Sequence, residues 1–462
     1  MSAGGGAGAA GQVPEPEVVE VDVAIAGAGA CGLVAALRAA RDPELVVAVL
    51  EKSTREGCNA AVSSGSLAAG GTRFQREAGI EDSPQRHCDD IIGNSGDEAM
   101  RPLVQALCDV APLFVEWVAD DLGYPMEVGV DMPRKGMSVP RLHADPARLG
   151  GGPLVRHLLK RVTELDNVAL LDEAPVQRLL TEPDPEQPGR ERVVGLVARQ
   201  NGAEVHVRAR TTVVATDGFA NNPALMARFA ASLGTPFYGG VSTSTGDSIA
   251  WLEPLGAQLT HMEACLRHGQ VTLGHGTRVN PALPWAGAVL VNAKGDRFVD
   301  EQAYGYSGLA GQIQAQPGER ALMVWDEQAM SETIRSEMMR ESLDAGAIHE
   351  AADVADLVAQ TGLPLDRLRA AMEPTHGRRA QTGRLHHTWL THGVLTTQGG
   401  ALVDTRCRVV RADGSTVSGL RVGGGSAVGL AGPTSQGYSS GNGLLAAMGA
   451  GWIIGDDLAT RA

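Results

Sequence analysis

Residues 22–32 read Asp22-Val23-Ala24-Ile25-Ala26-Gly27-Ala28-Gly29-Ala30-Cys31-Gly32, and Glu51 lies nineteen residues beyond Gly32. The glycines form a G-x-G-x-x-G turn after an apolar run, residues 33–40 are helix-forming, and a second apolar run over 45–50 leads into Glu51. A strand, a glycine turn, a helix and a second strand ending in an acid predict a dinucleotide-binding unit. The alternative is an ordinary glycine-rich turn in an α/β domain.

Each part of this unit has an expected role. Gly27 permits a tight turn, Gly29 lets backbone approach a pyrophosphate, and Gly32 lets the helix pack on the strand. The helix N-terminus offers N–H groups and a positive dipole end to the phosphates. An acid at the position of Glu51 accepts hydrogen bonds from a ribose. The expected nucleotide contacts are Gly27, Gly29, Ala30, Cys31, Gly32, Glu51 and Lys52.

Length and charge limit the class of protein. The 462 residues are enough for two domains, or for one domain with a large insertion. Acids outnumber bases by 54 to 39, which gives a net charge of −15. Because neutralising phosphates takes a basic patch, this balance argues against a nucleic-acid partner.

Cysteine spacing and hydropathy give further expectations. The six cysteines form no C-x-x-C pair, which excludes a zinc ribbon, a dithiol redox motif and a C-x-x-C-H haem attachment. We expect reduced thiols in the cytoplasm and no metal site. Residues 1–17 lack the basic start and apolar core of a signal peptide and are expected to be a disordered tail. Because no eighteen consecutive residues are apolar, no membrane span is expected.

The chain is predicted to form two domains, one of which is interrupted by the other. Residues 18–265 and 396–462 carry the dinucleotide unit, a strand-like region over 169–214 and glycine-rich turns. Residues 266–395 hold most of the histidines and the charged helical patterns, over 326–343, 351–360 and 364–372. The expected fold class is α/β, with a Rossmann-type domain interrupted by an α+β cap that contacts substrate.

Several later motifs, taken in order with the first, resemble one family. They are Val213-Val214-Ala215-Thr216-Asp217-Gly218-Phe219; Thr245-Gly246-Asp247-Ser248-Ile249 with Leu255-Gly256-Ala257; Leu290-Val291-Asn292 with Gly295 and Arg297-Phe298-Val299-Asp300-Glu301; and Gly399-Gly400 with Gly419-Leu420 and 423–429. The chain resembles the FAD-dependent fumarate reductase/succinate dehydrogenase flavoprotein superfamily, which includes the 3-ketosteroid dehydrogenases. The resemblance covers nearly all of the chain after residue 20.

The resemblance implies FAD, so the Rossmann-type domain is expected to be an FAD-binding domain. Covalent flavin attachment in some relatives uses a histidine in the first Ser/Gly loop. Here that loop has none, so we expect non-covalent FAD. Asp217 stands where the family usually has glycine, and Gly425 stands where it commonly has an acid. Beyond the nucleotide end, the expected cofactor contacts are Ser63, Ser64, Gly65, Val176, Ala215, Thr216, Asp217, Gly424, Asn442, Gly443 and Leu444.

Three departures from the fumarate reductases argue against a dicarboxylate substrate. Gly305 falls where the family's proton-delivering arginine would be, Thr396 replaces a histidine, and Tyr438 replaces a second substrate arginine. A doubly charged substrate would lose its bidentate partners. The substitutions resemble the 3-ketosteroid dehydrogenase branch, and Gly437-Tyr438-Ser439-Ser440-Gly441 is similar to the Δ4-(5α)-3-ketosteroid dehydrogenases.

This branch implies desaturation of a cyclic ketone beside its carbonyl, either a 3-ketosteroid or a smaller ring such as a cyclohexanone or 4-oxocyclohexanecarboxylate. The reaction needs a base for the α-proton, flavin N5 for the β-hydride, donors for the carbonyl and an external electron acceptor. Tyr438, with Ser440 as a relay, is one candidate for base or donor. Tyr304 or Tyr306 is the other. The expected substrate contacts are Tyr304, Tyr438, Gly441, Thr396 and His268.

Arg134, Arg141 and His143 lie in a polar segment that we expect to be a solvated loop. If these residues face the pocket, a single carboxylate on a cyclic ketone becomes an attractive substrate. Two alternatives to desaturation stay open. One is a flavin ene-reductase that works on an enone in the reverse direction and needs an electron donor. The other is a flavin-binding or redox-sensing protein without turnover.

Overall fold

The structure is a computed structural model that describes residues 16–130, 134–374 and 381–460. Its strands are, in chain order, β1 Glu17–Ala26, β2 Val47–Leu50, β3 Leu67–Ala68, β4 Glu127–Val128, β5 Leu142–Ala144, β6 Val168–Leu171, β7 Val176–Pro183, β8 Glu191–Gln200, β9 Ala203–Val214, β10 Phe237–Tyr238, β11 Leu259–Thr260, β12 Cys265–Thr272, β13 Val289–Val291, β14 Arg320–Asp326, β15 His349–Ala351, β16 Leu385–Thr397, β17 Gly400–Ala401, β18 Arg408–Val410 and β19 Thr416–Val422.

Helices cover the faces and ends of these strands. They are, in chain order, α1 Ala30–Ala39, α2 Arg73–Glu77, α3 Pro84–Ser95, α4 Arg101–Asp120, α5 Gly151–Thr163, α6 Pro223–Phe229, α7 Asp247–Leu252, α8 Leu283–Ala286, α9 Gly305–Gln314, α10 Glu327–Thr333, α11 Glu337–Asp344, α12 Val354–Thr361, α13 Leu365–Met372 and α14 Asn442–Ala459.

The larger sheet is built around the predicted dinucleotide unit. Strand β1 pairs in parallel with β2 and β9, β2 pairs in parallel with β6, and β9 pairs in parallel with β19. Strands β7 and β8 add an antiparallel extension at β9. Residues Val23, Ala24, Ile25 and Ala26 are all buried, as expected for a strand covered on both faces. The predicted Rossmann-type α/β fold is confirmed.

Helices α1 and α14 pack closely against each other beside this sheet. A Cβ added at Gly451 would lie 2.4 Å from the Cys31 oxygen, and one at Gly455 would lie 2.4 Å from Arg38 Cβ. Small residues therefore let the two helices approach until their backbones nearly touch. Since the site described below lies at the N-terminal ends of both helices, this contact positions its two halves relative to each other.

A second sheet is centred on the long strand β16. It pairs with β12, β14 and β15 in antiparallel fashion and with β10 in parallel. Strand β10 (Phe237–Tyr238) precedes the predicted cap range of 266–395, yet it pairs with Gly393 and Val394 in this sheet. The domain boundaries stay predictions, as does the tail over residues 1–17. Residues 1–15 of that tail lie outside the described residues, and β1 begins at Glu17.

One helix prediction is wrong. The pattern over 326–343 predicts one helix, but α10 ends at Thr333 and α11 begins at Glu337. Ser336 starts the new helix because its hydroxyl accepts a hydrogen bond from the Met339 N–H at 3.3 Å. In addition, residues Glu98–Asp120 form a helical stretch long and apolar enough to cross a membrane. More than half of the most apolar part of this stretch is buried, and Leu107 and Phe114 lie in the main hydrophobic core. Such burial is typical of the core helix of a folded domain.

Candidate active site

One cavity of about 1340 Å³ connects the dinucleotide unit to the C-terminal tyrosine motif. Gly27 and Glu51 line one end, and Tyr306 and Tyr438 line the other. All the predicted site residues line it apart from three, Gly32, Gly65 and Asn442. The cavity is therefore the place where residues from distant parts of the chain meet.

The glycine turn has the close contacts that its motif predicts. Gly27 has a φ of +104°, and a Cβ there would lie 2.7 Å from the Ala215 oxygen. A Cβ at Gly32 would lie 1.9 Å from the Gly27 oxygen, so Gly32 serves helix–strand packing. Gly29 precedes α1 and makes no side-chain capping bond. The first N–H groups of α1 are thus left for an anionic ligand such as a pyrophosphate.

The acid after β2 is held against this turn. One oxygen of Glu51, Oε2, accepts a hydrogen bond from the Ala28 N–H at 2.7 Å, and Oε1 accepts one from the Ser53 N–H at 2.9 Å. The neighbouring Lys52 Nζ donates to Thr245 Oγ1 at 2.8 Å and lies 3.0 Å from Asp247 Oδ2. The Thr-Gly-Asp motif therefore fixes Lys52 at the rim of the nucleotide end.

Asp217 and Gly425, the two positions that differ from the usual family pattern, lie next to each other. Asp217 Oδ2 accepts a hydrogen bond from Asn59 Nδ2 at 2.6 Å, and Oδ1 accepts one from the Gly218 N–H at 2.7 Å. A Cβ at Gly425 would lie 2.7 Å from Asp217 Oδ1 and 2.5 Å from the Gly218 nitrogen. A side chain at 425 is thus excluded by the backbone at Gly218 as well as by the carboxylate at 217. The sequence could not show that positions 217 and 425 are in contact, and it missed Asn59 as a partner of Asp217.

The first Ser/Gly loop is shaped by backbone contacts. Ser63 Oγ donates to the Ala60 oxygen at 2.7 Å and accepts from the Gly65 N–H at 3.1 Å. Gly65 has a φ of +67°, and a Cβ there would lie 2.6 Å from the Gly150 oxygen. Gly65 therefore sets the path of the loop, while Ser63 and Ser64 line the cavity.

A helix N-terminus also closes the other end of the cavity. Gly441 precedes α14 with a φ of +84°, and a Cβ there would lie 2.8 Å from Ala68 Cβ. The Gly443 N–H, in the first turn, donates to the Tyr438 hydroxyl oxygen at 3.2 Å. The amide of Asn442 is buried, and neither of its polar atoms has a hydrogen-bond partner. The dipole of α14 thus directs its positive end toward Tyr438 and the cavity.

The tyrosine cluster brings the cap and the C-terminal loop together. Tyr306 stacks on His268, with ring centroids 5.0 Å apart and an interplanar angle of 24°. The Ser440 side chain lies near this phenol and lowers the pKa of Tyr306. The role of Ser440 as a relay for Tyr438 stays a prediction.

Electrostatics distinguish the residues of this cluster. Burial raises the pKa of Tyr438, and the nearby Tyr306 phenol raises it further. Burial also raises the pKa of Tyr306, but the nearby Ser440 side chain and the positive charges of Arg134 and Arg278 oppose this effect. Burial lowers the pKa of His268 to about 3, and its Nδ1 accepts a hydrogen bond from the Gln270 N–H at 3.2 Å. His268 is therefore a neutral imidazole at neutral pH.

The cap segment that carries Tyr304 and Tyr306 is joined to the C-terminal loop. Tyr304 lies immediately before α9 and lines the cavity, and Gly305 follows with a φ of +60°. Ser307 Oγ donates to the Ser435 oxygen at 2.9 Å, which joins α9 to the loop that leads to Tyr438. Thr396, on β16, lines the cavity between these elements. The predicted substrate contacts are thus brought together.

The prediction that Arg134, Arg141 and His143 lie in a solvated loop is wrong for Arg141 and His143. Arg141 is completely buried and pairs with Asp82 at 3.1 Å and Asp90 at 2.7 Å. His143 is also completely buried, with its Nε2 2.8 Å from Thr72 Oγ1. Arg134 lines the cavity, as do five cations that the sequence did not single out: Lys135, Arg148, Arg156, Arg278 and Arg335. No local sequence signal points to Arg278, because only the fold brings it to the tyrosines.

Comparison with known proteins identifies the class. A family model described as an FAD binding domain matches residues 22–443. The chain therefore belongs to this family, and its cofactor is FAD. The features described above fit this ligand: a glycine turn with no room for side chains, an acid at the ribose position, a helix N-terminus at each end, and a long cavity between them.

Individual relatives are distant and differ in their reported activities. The chain is 27% identical over 450 residues to the NADH:fumarate oxidoreductase of Klebsiella pneumoniae (strain 342), which covers 93% of this chain and 47% of that protein. It thus spans about half the length of this relative. It is 26% identical, with a TM-score of 0.73, to the 3-ketosteroid-Δ4-(5α)-dehydrogenase of Rhodococcus jostii RHA1, over 97% of this chain and 98% of that one.

The fold is also shared with a flavocytochrome c3 fumarate reductase. That structure has a TM-score of 0.79 and 23% identity, over 96% of this chain and 79% of the other. Overall similarity thus places the chain among FAD-dependent oxidoreductases that include fumarate reductases and ketosteroid dehydrogenases alike. The choice of substrate depends on the residues at the far end of the cavity.

Proposed function

We propose that this protein desaturates a cyclic ketone next to its carbonyl, with Tyr306 as the base and Tyr438 as the donor to the ketone oxygen. The observation that carries the proposal is the difference between the two phenols that line the cavity. Tyr306 stacks on His268 and lies near Ser440, Arg134 and Arg278, whereas the Tyr438 oxygen accepts the Gly443 N–H at 3.2 Å. The two phenols differ in surroundings, as the two roles require.

Tyr306 has the surroundings of a proton acceptor. A hydroxyl that donates to a phenol oxygen, and positive charges beside it, both favour the tyrosinate. Ser440, Arg134 and Arg278 all lower the pKa of Tyr306 against the effect of burial. The α-proton is then held on the Tyr306 oxygen.

Tyr438 has the surroundings of a donor. Its pKa is raised by burial and by Tyr306, so the phenol keeps its proton. Since the oxygen already accepts the Gly443 N–H, the O–H is directed away from α14 and can donate to a carbonyl that gains negative charge as the α-proton leaves. When bound, FAD supplies the hydride acceptor for the β-position.

The geometry at Gly305 supports a ketone over a dicarboxylate. Its φ of +60° lies in the left-handed region that glycine favours, so an arginine there would be strained. Thr396 and Tyr438 likewise offer hydroxyls where the resemblance to fumarate reductases requires cationic or imidazole side chains. The ketosteroid dehydrogenase relative described above adds support, since its named substrate class is a cyclic ketone.

Ene reduction is the second candidate, because the relatives named above include fumarate reductases. It would use the same hydroxyls in the reverse order, with Tyr306 delivering the proton. Direction, the external electron acceptor and a cytoplasmic location stay predictions.

Product analysis tests the proposal. The holoenzyme is incubated with an artificial electron acceptor and, in turn, with cyclohexanone, 4-oxocyclohexanecarboxylate and a 3-ketosteroid. We expect at least one ketone to yield an enone with one hydrogen pair fewer, at a rate that depends on acceptor concentration. If enones are reduced by the chemically reduced enzyme while no ketone is oxidised, the reductase assignment replaces this one.

A further inference from the structure

Cations outnumber carboxylates along the cavity, in an otherwise acidic protein. The chain has a net charge of −15. Among the described residues that line the cavity, the cations are Lys52, Arg134, Lys135, Arg141, Arg148, Arg156, Arg278 and Arg335, and the carboxylates are Glu51, Asp217, Asp247, Glu332 and Glu341. An uncharged ketone gains nothing from such an excess of positive charge, whereas an anionic substrate would be both attracted and held by it.

Arg278 is firmly positioned beside the tyrosine cluster. Its backbone bridges to Val271 of β12, and its carbonyl accepts a hydrogen bond from Ser342 Oγ at 3.0 Å. The side chain lines the cavity, and its charge acts on both His268 and Tyr306, which stack on each other. Its Nη2 donates to the Val62 oxygen at 3.4 Å, and Val62 also lines the cavity.

Arg134 approaches the same place from the other domain. Two residues on, a Cβ at Gly136 would lie 2.2 Å from Ser439 Oγ, so this loop packs directly on the loop of Tyr438 and Ser440. The intervening Lys135 packs over Gly305, where an added Cβ would lie 3.6 Å from Lys135 Cβ. Arg134 and Arg278 thus act on Tyr306 from two separate segments of the chain.

We propose that the substrate is a cyclic ketone with a single carboxylate on its ring, and that Arg278 and Arg134 bind this carboxylate. The inference rests on the proposed function and names the substrate class of the same site. A guanidinium is the side chain best suited to a carboxylate, because its N–H donors match both oxygens. A single anionic group also fits the absence of an arginine at Gly305, where a second carboxylate would need one.

A competing role for the arginines is to favour the Tyr306 tyrosinate and nothing more. In that case, replacing the arginines would slow the turnover of neutral and anionic ketones by the same factor. If the arginines bind a carboxylate, replacing them would slow turnover of the anionic ketone more than turnover of the neutral one. The ratio of kcat/KM for 4-oxocyclohexanecarboxylate to kcat/KM for its methyl ester separates the two roles, since any effect on Tyr306 cancels.

The test compares this ratio between wild type and Arg278→Gln holoenzymes. We expect the ratio to fall by about 10- to 100-fold, the loss of one charge-assisted hydrogen bond. Arg278→Lys should restore part of it, and Arg134→Gln should also lower it. Arg384→Gln is the matched control, because Arg384 pairs with Glu350 on the cap surface and should leave the ratio unchanged. An unchanged ratio in both Arg278→Gln and Arg134→Gln overturns the proposal.

A binding experiment keeps this inference separate from the proposed reaction. Cyclohexanecarboxylate has no ketone and cannot be desaturated, so its binding is followed by the change in flavin absorbance. We expect it to bind wild type at least about tenfold more tightly than cyclohexanecarboxamide does, and to lose that advantage in Arg278→Gln. Equal binding of the acid and the amide contradicts the inference, even if ketones are turned over. Preference for the acid without turnover of any ketone contradicts only the proposed reaction.

Discussion

Replacing Tyr306 with phenylalanine removes the base and little else. The ring stays stacked on His268, whose centroid lies 5.0 Å away, so its packing is kept. The cost to the free energy of unfolding should be no more than about 1 kcal/mol, the net value of one hydrogen bond. FAD should be retained, because Tyr306 is far from the nucleotide end.

The effect on turnover should be much larger. Loss of a positioned general base lowers kcat by about 10²- to 10⁴-fold, or roughly 3–5 kcal/mol in activation free energy. The base must be deprotonated to act, so wild-type kcat/KM should rise as pH increases through the pKa of Tyr306. Burial raises that pKa, while Ser440, Arg134 and Arg278 lower it. Tyr306→Phe should lose this pH dependence as well as the rate.

The assay is steady-state oxidation of the ketone by the holoenzyme over a range of pH. Tyr124→Phe is the matched control, since Tyr124 donates to Asp145 at 3.1 Å and does not line the cavity. That variant should keep wild-type kcat. A Tyr306→Phe enzyme with its FAD intact, more than about a tenth of wild-type kcat and an unchanged pH profile would refute the assignment of Tyr306 as the base.

Three further predictions concern the donor, the cofactor contacts and the flavin linkage. Tyr438→Phe should retain FAD and lose about 10²- to 10³-fold in kcat, as for the loss of one oxyanion donor, with no loss of pH dependence; kcat near that of wild type would remove its role. Gly425→Glu should lower the FAD content measured after purification, because its Cβ would lie 2.5 Å from the Gly218 backbone nitrogen and 2.7 Å from Asp217 Oδ1, and the added Asp217→Gly change should restore that content only in part, since the backbone contact stays; a wild-type FAD content in Gly425→Glu would contradict this reasoning. Denaturation should release all flavin into the supernatant, since non-covalent FAD is expected, and flavin absorbance in the precipitated protein would contradict that.

The sequence is sufficient to predict the nucleotide end because its constraints are local. Gly27, Gly32 and Glu51 lie within thirty residues of one another, and each is required by contacts of a single β-α-β unit. The fold class follows from this unit and the later strand motifs. Strand β10 joins the cap sheet through pairing with residues about 150 positions away, a distance that no local pattern reports.

The substrate end is less predictable because its contacts cross between domains. Tyr306, from the cap, stacks on His268 and lies near Ser440, which comes from the C-terminal loop. Arg141 is in a segment of solvated composition but is buried by ion pairs with Asp82 and Asp90. In each case the partner that fixes the side chain is remote in sequence, so only the fold determines which interaction is made.

Mixing the holoenzyme with a saturated cyclic ketone in the absence of oxygen and of any added acceptor tests most directly whether the protein is a ketone desaturase. The visible absorbance of the bound flavin reports the transfer of hydride from substrate. We expect the flavin to bleach in wild type and to bleach far more slowly in Tyr306→Phe, with one equivalent of enone formed per flavin. Flavin that stays oxidised with every ketone, but is reoxidised by an enone after chemical reduction, would contradict the desaturase assignment.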